Sequence, residues 1–306
     1  LMSNVLVEGK TKLIEKGEKP FTVNMIAKDF LTSGDAAKKE ELTDIGIQKT
    51  KQASNVFKML EEKHIPTSFI EQTAPNTMLH EECDMLPLEF VVRRYAFGSY
   101  LKRNPQCGYN EDNIFQRAPQ YFPEPVWELF HKHSVVMPPL VNEPTQMDEN
   151  TAREKYLVDG KWAEGVYTDP YINIRAGQWE LYSAKDPILA NNTLMDTGTV
   201  LNERELDSAI NQIVLPAFKA IEKSWKTICT SDGPVQLVDI KFELGFRSKD
   251  NLLVLSDVVD NDSWRIWPGG NPKNQLDKQS FRDDEDLSNV ANKYQLVTEL
   301  TNGFIK

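Results

Sequence analysis

Cysteine is scarce, with three in 306 residues. They stand at Cys83, Cys107 and Cys229, and no two have CxxC spacing. That argues against a disulfide framework or a cysteine-built zinc site, and Cys83 and Cys107 read as unpaired thiols. There are four histidines. Only His131 and His133 stand close together, and no carboxylate or cysteine spacing completes a metal set around them, so they read as loop histidines. No apolar run reaches membrane-spanning length and no basic start leads into an apolar core, so neither a transmembrane helix nor a signal peptide is expected. The expected compartment is the cytoplasm. Basic charge is outweighed too, with 35 Lys and Arg against 46 Asp and Glu and a net charge of −11. This argues against generic nucleic-acid binding but leaves room for a small nucleotide site built from local lysines and arginines. Internal repeats, low-complexity tracts and any Ser/His/Asp or Cys/His nucleophile arrangement are also missing.

What is present suits a soluble globular chain, 40% hydrophobic and 26% charged, long enough for one large or two closely joined domains. The opening VLVEGKTKLIEKGEKPFTVNMIAKDF alternates apolar and polar residues and is broken by Gly9, Gly17 and Pro20, which predicts two or three short strands. Thr43 to His64 has apolar residues at helical spacing and stops before Pro66. Further strands are expected at Thr67–Gln72 and Leu88–Phe97. Asn202 to Trp225 reads as the clearest helix, opened by an Asn202/Glu205 capping box, with Pro216 expected to kink its interior. A last helix is expected over Leu287–Phe304. Pro119 to Pro187 is rich in proline, tryptophan and tyrosine with weak periodicity; Trp127, Trp162 and Trp179 argue for an ordered elaboration rather than a linker.

The stretch Leu237 to Trp267, LVDIKFELGFRSKDNLLVLSDVVDNDSWRIW, carries the most chemistry. With a period of two, Leu237, Asp239, Lys241 and Glu243 share one strand face and Val238, Ile240, Phe242 and Leu244 the other. In the next segment Leu253, Leu255, Asp257 and Val259 share a face, so a carboxylate sits in an apolar row and needs a partner. If GFRSKDN is a hairpin connection, an antiparallel register could put Asp257 on the face of Glu243 and Asp239. Clustered carboxylates repel unless a cation holds them, and Mg²⁺ takes one or two protein carboxylates with water and nucleotide phosphates completing its shell. A solvated charged face is the ordinary alternative. Asp260, Asp262 and Arg265 add acids and an anion-binding group just beyond it.

These residues resemble the SAICAR synthetases (phosphoribosylaminoimidazole-succinocarboxamide synthases). The resemblance runs through Glu8-Gly9-Lys10-Thr11-Lys12, Lys28-Asp29 with Ala36-Ala37-Lys38-Lys39, Met85 to Arg94, Gly98 to Arg103, LVDIKFELG, DNDSWRIWP and Asp277 to Arg282, in order along nearly the whole chain. The last blocks are closer to the animal-type wording. The resemblance implies an α+β, two-lobed fold: a β-rich nucleotide lobe at 2–87, related to ATP-grasp or kinase-like small lobes, and a mixed α/β substrate- and metal-binding lobe at 88–306, with an insertion at about 133–187. That insertion is longer than the family's usual connection; it reads as a structural elaboration, an active-site cover or a subunit contact. The implied reaction takes ATP, L-aspartate and the carboxylated ribonucleotide CAIR to SAICAR, ADP and phosphate. Catalysis of this kind needs phosphate positioning and charge neutralisation more than a protein nucleophile.

Matched position by position, the resemblance assigns Lys10, Lys12, Met85, Leu86, Glu89 and Lys132 to the nucleotide, with Lys185 a rival for the role of Lys132. Arg93, Ser99 and Arg265 fall to the CAIR phosphate, where an arginine fork donates two parallel bonds. In a strand only one of Arg93 and Arg94 can face the site, and the spacing to Ser99 favours Arg93. Glu243 and Asp257 are the implied Mg²⁺ carboxylates, and Lys241, Asp239 and Asp262 the implied catalytic neighbours. Thr32-Ser33-Gly34-Asp35 departs from the family's more asparagine-like turn, which leaves the role of the Asp35 region open. No nucleic-acid or membrane partner is implied, and a homo-oligomer is compatible. Another ATP-dependent carboxylate–amine ligase, a kinase, or a non-catalytic nucleotide-binding scaffold stay open beside this reading.

Overall fold

The computed structural model describes residues 4–34, 37–107, 119–186, 193–194 and 200–306; Asp35 lies outside them. The chain forms two compact units, one from Leu1–Leu86 and Ser208–Lys306, the other from Pro87–Asp207. Among the described residues no helix is long and apolar enough to cross a membrane.

The first unit opens with a five-stranded antiparallel sheet in the order Val5–Glu8, Lys12–Lys16, Thr22–Ala27, Thr77–Glu81, Phe69–Ala74. Its alternating sequence buries Val23, Met25 and Met78, and the helix Ile45–Glu62 belongs to the same unit. Among the buried residues of that helix, Ile45, Lys49, Gln52, Ala53, Val56, Phe57 and Leu60 recur at helical spacing. Its start is capped from outside: the Asp29 carboxylate accepts the backbone N–H of Asp44 at 3.2 Å and of Gly46 at 2.9 Å. The helix Leu287–Thr301 packs beside it. There Gln52 Nε2 donates to Tyr294 O at 2.9 Å and Asn55 Nδ2 to Thr301 Oγ1 at 3.1 Å.

The second sheet of this unit is organised by the long strand Gly233–Arg247. Trp264–Pro268 pairs antiparallel with its first half, placing Asp239 opposite Arg265. Leu253–Ser256 pairs with its second half. Cys83–Met85 pairs alongside, with Met85 opposite Gly245. A Cβ on Gly245 would come within 2.9 Å of both Asp84 O and Met85 Sδ, so only glycine admits this approach. The helix expected to be disturbed at Pro216 is irregular just before it. Residues Ala209–Val214 are π-helical and lead into the helix Leu215–Lys226, which holds Pro216 in its first turn, where no N–H is needed. Trp225 closes the core edge-on against Trp264 and Phe304, with centroids 5.3 and 4.8 Å away.

In the second unit, Leu88–Tyr95 pairs antiparallel with Tyr121–His131, which pairs with Tyr171–Arg175, which pairs with Gln178–Tyr182. Part of the expected insertion is therefore sheet. The rest contains the three-stranded sheet of Ser134–Val136, Thr145–Met147 and Val166–Tyr167 and the helix Glu149–Tyr156. Of the three tryptophans taken as signs of order, Trp179 is core and Trp127 is exposed.

Candidate active site

Within the first unit, Gly9 N bonds Lys12 O at 2.8 Å and closes the turn between two strands. Lys10 lies in that turn and Lys12 begins the next strand. The two lysines therefore do not share a strand face as alternation suggested, because the chain reverses between them. Lys12 Nζ forms an ion pair with Asp257. Asp257 follows the strand Leu253–Ser256 with φ of 62°, a left-handed conformation that ends the extended run. The register places Ser256, not Asp257, opposite Glu243. The expected row of Leu253, Leu255, Asp257 and Val259 thus stops short, and Asp257 is redirected toward Lys12. The charged face of the long strand is not solvated: Asp239 is 5% and Glu243 6% exposed. Asp239 bonds Arg265 Nη1 at 2.7 Å, and Lys241 N donates to Ser263 O at 2.8 Å.

Thr11, Lys12, Lys49, Thr50, Asp260 and Asp262 line a small cavity in this unit. Asp262 Oδ2 lies 3.3 Å from Lys49 Nζ and 4.0 Å from Lys278 Nζ, and its Oδ1 accepts the Tyr294 hydroxyl at 2.5 Å. Burial alone would raise the Asp262 carboxyl; Lys49, Lys278 and the Tyr294 bond outweigh it and hold the group well below the usual carboxylate range. Asp260 goes the other way, pushed up to about 6 by burial and then by the charge of Asp262, although it accepts the Asp262 N–H at 2.8 Å. Two neighbouring carboxylates are thereby driven apart in acidity, an arrangement typical of functional sites. Lys49, Lys278 and Tyr294 are absent from the sequence-based assignment. The available signal was a lysine inside the apolar stripe of a helix, since a buried ammonium requires an anionic partner.

Met85 presents an exposed apolar side chain, while Leu86 is buried and donates N–H to Leu244 O at 2.9 Å. Among the described residues, no group of three or more His, Cys, Asp or Glu side chains is arranged to hold a metal ion.

Within the second unit, Arg93 stands opposite Val126 and two residues from the register position of Glu128, so the three share a sheet face. Arg93 Nε bonds Glu128 Oε1 at 3.0 Å, its Nη1 bonds Phe97 O at 3.1 Å, and its Nη2 reaches Ser99 Oγ at 3.4 Å. Arg94 faces away and donates to Phe122 O and Pro123 O at 2.9 and 2.6 Å. Arg103, not selected from the sequence, joins the cluster: Nη1 bonds Ser99 Oγ at 3.0 Å and Nη2 grips both Glu128 oxygens. Glu89 lies opposite Phe130 on the same strand pair. Lys132 is exposed, with its N–H on Pro87 O at 2.9 Å, and Lys185 is exposed in a turn. His131 is buried and accepts the His133 N–H on Nδ1 at 3.2 Å.

A mixed α/β fold that sets lysines beside carboxylates in one unit and an arginine–serine cluster in the other is that of an enzyme handling phosphorylated substrates. The SAICAR synthetase family model matches residues 5–160 and 181–300, and the chain belongs to that family of ATP-dependent ligases. The phosphoribosylaminoimidazole-succinocarboxamide synthase of Herpetosiphon aurantiacus is 30% identical over 305 residues, 98% of this chain and 97% of the relative. The human bifunctional phosphoribosylaminoimidazole carboxylase/succinocarboxamide synthetase is 32% identical over 96% of this chain and 57% of its own length. Among solved structures, a SAICAR synthetase in complex with ADP aligns with a TM-score of 0.67 at 27% identity, over 98% of this chain and 97% of that one.

Proposed function

We propose that the lysine–carboxylate cluster of the first unit handles the ATP phosphates and that Arg93 and Ser99 of the second receive the CAIR phosphate. The chain catalyses the ATP-dependent ligation of L-aspartate to the carboxylate of CAIR, giving SAICAR, ADP and phosphate in purine biosynthesis. A carboxylate is a poor acyl donor because its leaving group would be oxide. Transfer of the γ-phosphoryl group to a carboxylate oxygen turns that oxygen into a phosphate leaving group; the aspartate amine then attacks the carbonyl carbon, loses a proton and expels phosphate. Lys12 and Lys10 neutralise charge on the moving phosphoryl group. Asp262, held ionised by Lys49, Lys278 and Tyr294, keeps its carboxylate charge at the cavity, while Asp239 and Lys241 lie on the strand that pairs with the segment just after it. Arg265 is assigned to CAIR by resemblance, as are Met85, Leu86, Glu89 and Lys132 to the nucleotide. Glu243, opposite Ser256, and Asp257, the residue after that strand ends, are hard oxygen donors; two carboxylates would hold Mg²⁺ only with water and nucleotide phosphates completing its shell. Mg²⁺ held there would supply charge neutralisation on the nucleotide phosphates.

The antiparallel sheet with its glycine-bounded lysine turn supports a relation to the nucleotide-covering lobes of ATP-grasp and kinase-like proteins, and the composition supports a cytoplasmic location. The observation that carries the reading is the Lys12–Asp257 pair beside the Lys49–Asp262 cavity in a chain of this family. The test is ADP release from purified protein with Mg²⁺-ATP, with and without CAIR and L-aspartate, with product mass determined. Turnover requiring all three, with SAICAR formed, is the expected result; ATP consumption with another acceptor would replace the reading.

A further inference from the structure

The stretch 161–180 falls between the two matched parts of the family model, yet it supplies a strand of the second unit's sheet, Tyr171–Arg175. Its register places Tyr171 opposite Phe130, on the face that carries Glu128 and Arg93, since Phe130, Glu128 and Val126 alternate along one strand. The two rings lie 5.7 Å apart. The Arg103 guanidinium sits over both, 4.7 Å from the Tyr171 centroid and 4.9 Å from that of Phe130. Tyr182, opposite Tyr171 on the following strand, backs it at 6.2 Å, and Ala184 O accepts Arg103 Nη1 at 2.8 Å.

What Arg103 does with that support follows from its other bonds. Ser99 and Arg103 are four residues apart in the short helix Ser99–Arg103, so their side chains meet. The Ser99 oxygen takes an N–H from Arg103 at 3.0 Å and one from Arg93 at 3.4 Å. With both lone pairs occupied, the hydroxyl proton is directed away from the guanidinium groups and has to be donated to an acceptor. Both arginines bond Glu128, inside a cluster where Arg93, Arg103 and Glu128 are 3%, 2% and 4% exposed. Guanidinium groups beside a hydroxyl fixed as a donor are the chemistry that receives a phosphate monoester.

We propose that Tyr171 is a positioning residue for the ribonucleotide substrate: its ring holds Arg103 in the plane that fixes Ser99 as a phosphate donor. The proposal rests on the reading that Arg93 and Ser99 receive the CAIR phosphate. The experiment compares steady-state kinetics of the full chain with those of Tyr171→Ala, Tyr171→Phe and Ser99→Ala, with melting temperatures measured alongside. In Tyr171→Ala the KM for CAIR should rise about tenfold, while kcat and the KM for ATP stay within about twofold, as for loss of a group that orients a ligand. Tyr171→Phe keeps the π-face and should restore the parental KM for CAIR. An unchanged CAIR KM in a folded Tyr171→Ala protein overturns the proposal, as does a fall in kcat with all KM values altered together, or failure of Tyr171→Phe to rescue. Ser99→Ala separates the two layers. If it raises the CAIR KM and Tyr171→Ala does not, only the buttress is wrong; if it leaves that KM unchanged, the phosphate assignment fails and the buttress with it.

Discussion

Glu243 and Asp257 differ in what surrounds them. Asp257 is paired with Lys12, so Asp257→Asn removes a carboxylate and also releases the lysine. Glu243 sits in a buried strand face opposite Ser256. Either Asp257→Asn or Glu243→Gln should lower Mg²⁺-ATP-dependent turnover by about 100-fold, the scale of losing one preorganised charge contact, while circular dichroism and the melting profile stay native. Full activity in either would remove the metal assignment. Arg265 Nη1 donates to Asp239 Oδ2 at 2.7 Å; Arg265→Lys keeps the charge and loses the planar fork, so the KM for CAIR should rise about tenfold with the ATP KM unmoved. Unchanged CAIR saturation would contradict its role. At this scale the sequence was informative about residue types: the Arg93 and Arg94 alternation and the spacing to Ser99 were legible. Arg103 was not, because its place depends on a cross-strand aromatic pair brought from about seventy residues away.

Among the elements, the helix Ile45–Glu62 matters most to the first unit's cavity, since it delivers Lys49 to Asp262. The Lys49 side chain is 5% exposed and that of Asp262 19%. Lys49→Met leaves that carboxylate without a hydrogen-bonded cation, and urea unfolding should show a loss of about 2 kcal/mol, below the full penalty for a buried pair because Asp262 retains some solvent. Lys49→Arg should recover part of it; no loss in Lys49→Met would show that Lys278 and Tyr294 suffice. The helix itself was legible from its apolar spacing, as was the capping box, in which Asn202 N and Glu205 N each bond the other's side chain at 2.9 Å. The strand ending at Ser256 was not. The left-handed backbone at Asp257 ends the extended run, and alternation carries no information about where a strand is made to stop.

For the whole molecule, acid stability follows from buried histidines. Burial pulls His80 down to about 4, in surroundings that include the opposed charges of Asp257 and Lys12 and a 2.8 Å bond to Ser68 Oγ; burial and the neighbouring His133 do the same to His131. Their folded values lie below the unfolded value near 6.5, so stability is fully present above about pH 6.5 and is lost as pH falls toward 4. Each contributes up to about 3 kcal/mol. Asp260, raised to about 6, opposes this by taking a proton in the folded state over part of the same range. Two protons refused against one accepted leaves a net loss, and the urea midpoint should fall between pH 7 and pH 5. His131→Asn, which keeps an acceptor for the His133 N–H without titrating, should flatten the slope; an unchanged slope would show that His131 is not the buried neutral group assigned here. By itself the sequence determined the family, the chemistry and most regular elements, because motif spacing and periodicity are local properties of the chain. Only the tertiary structure decided that residues 208–306 join the N-terminal residues in one unit, that Asp239 and Glu243 on the long strand Gly233–Arg247 are buried, and that Tyr171–Arg175 is sheet beneath an arginine. Those outcomes depend on which distant segments exclude water together, a property that no window of neighbouring residues contains.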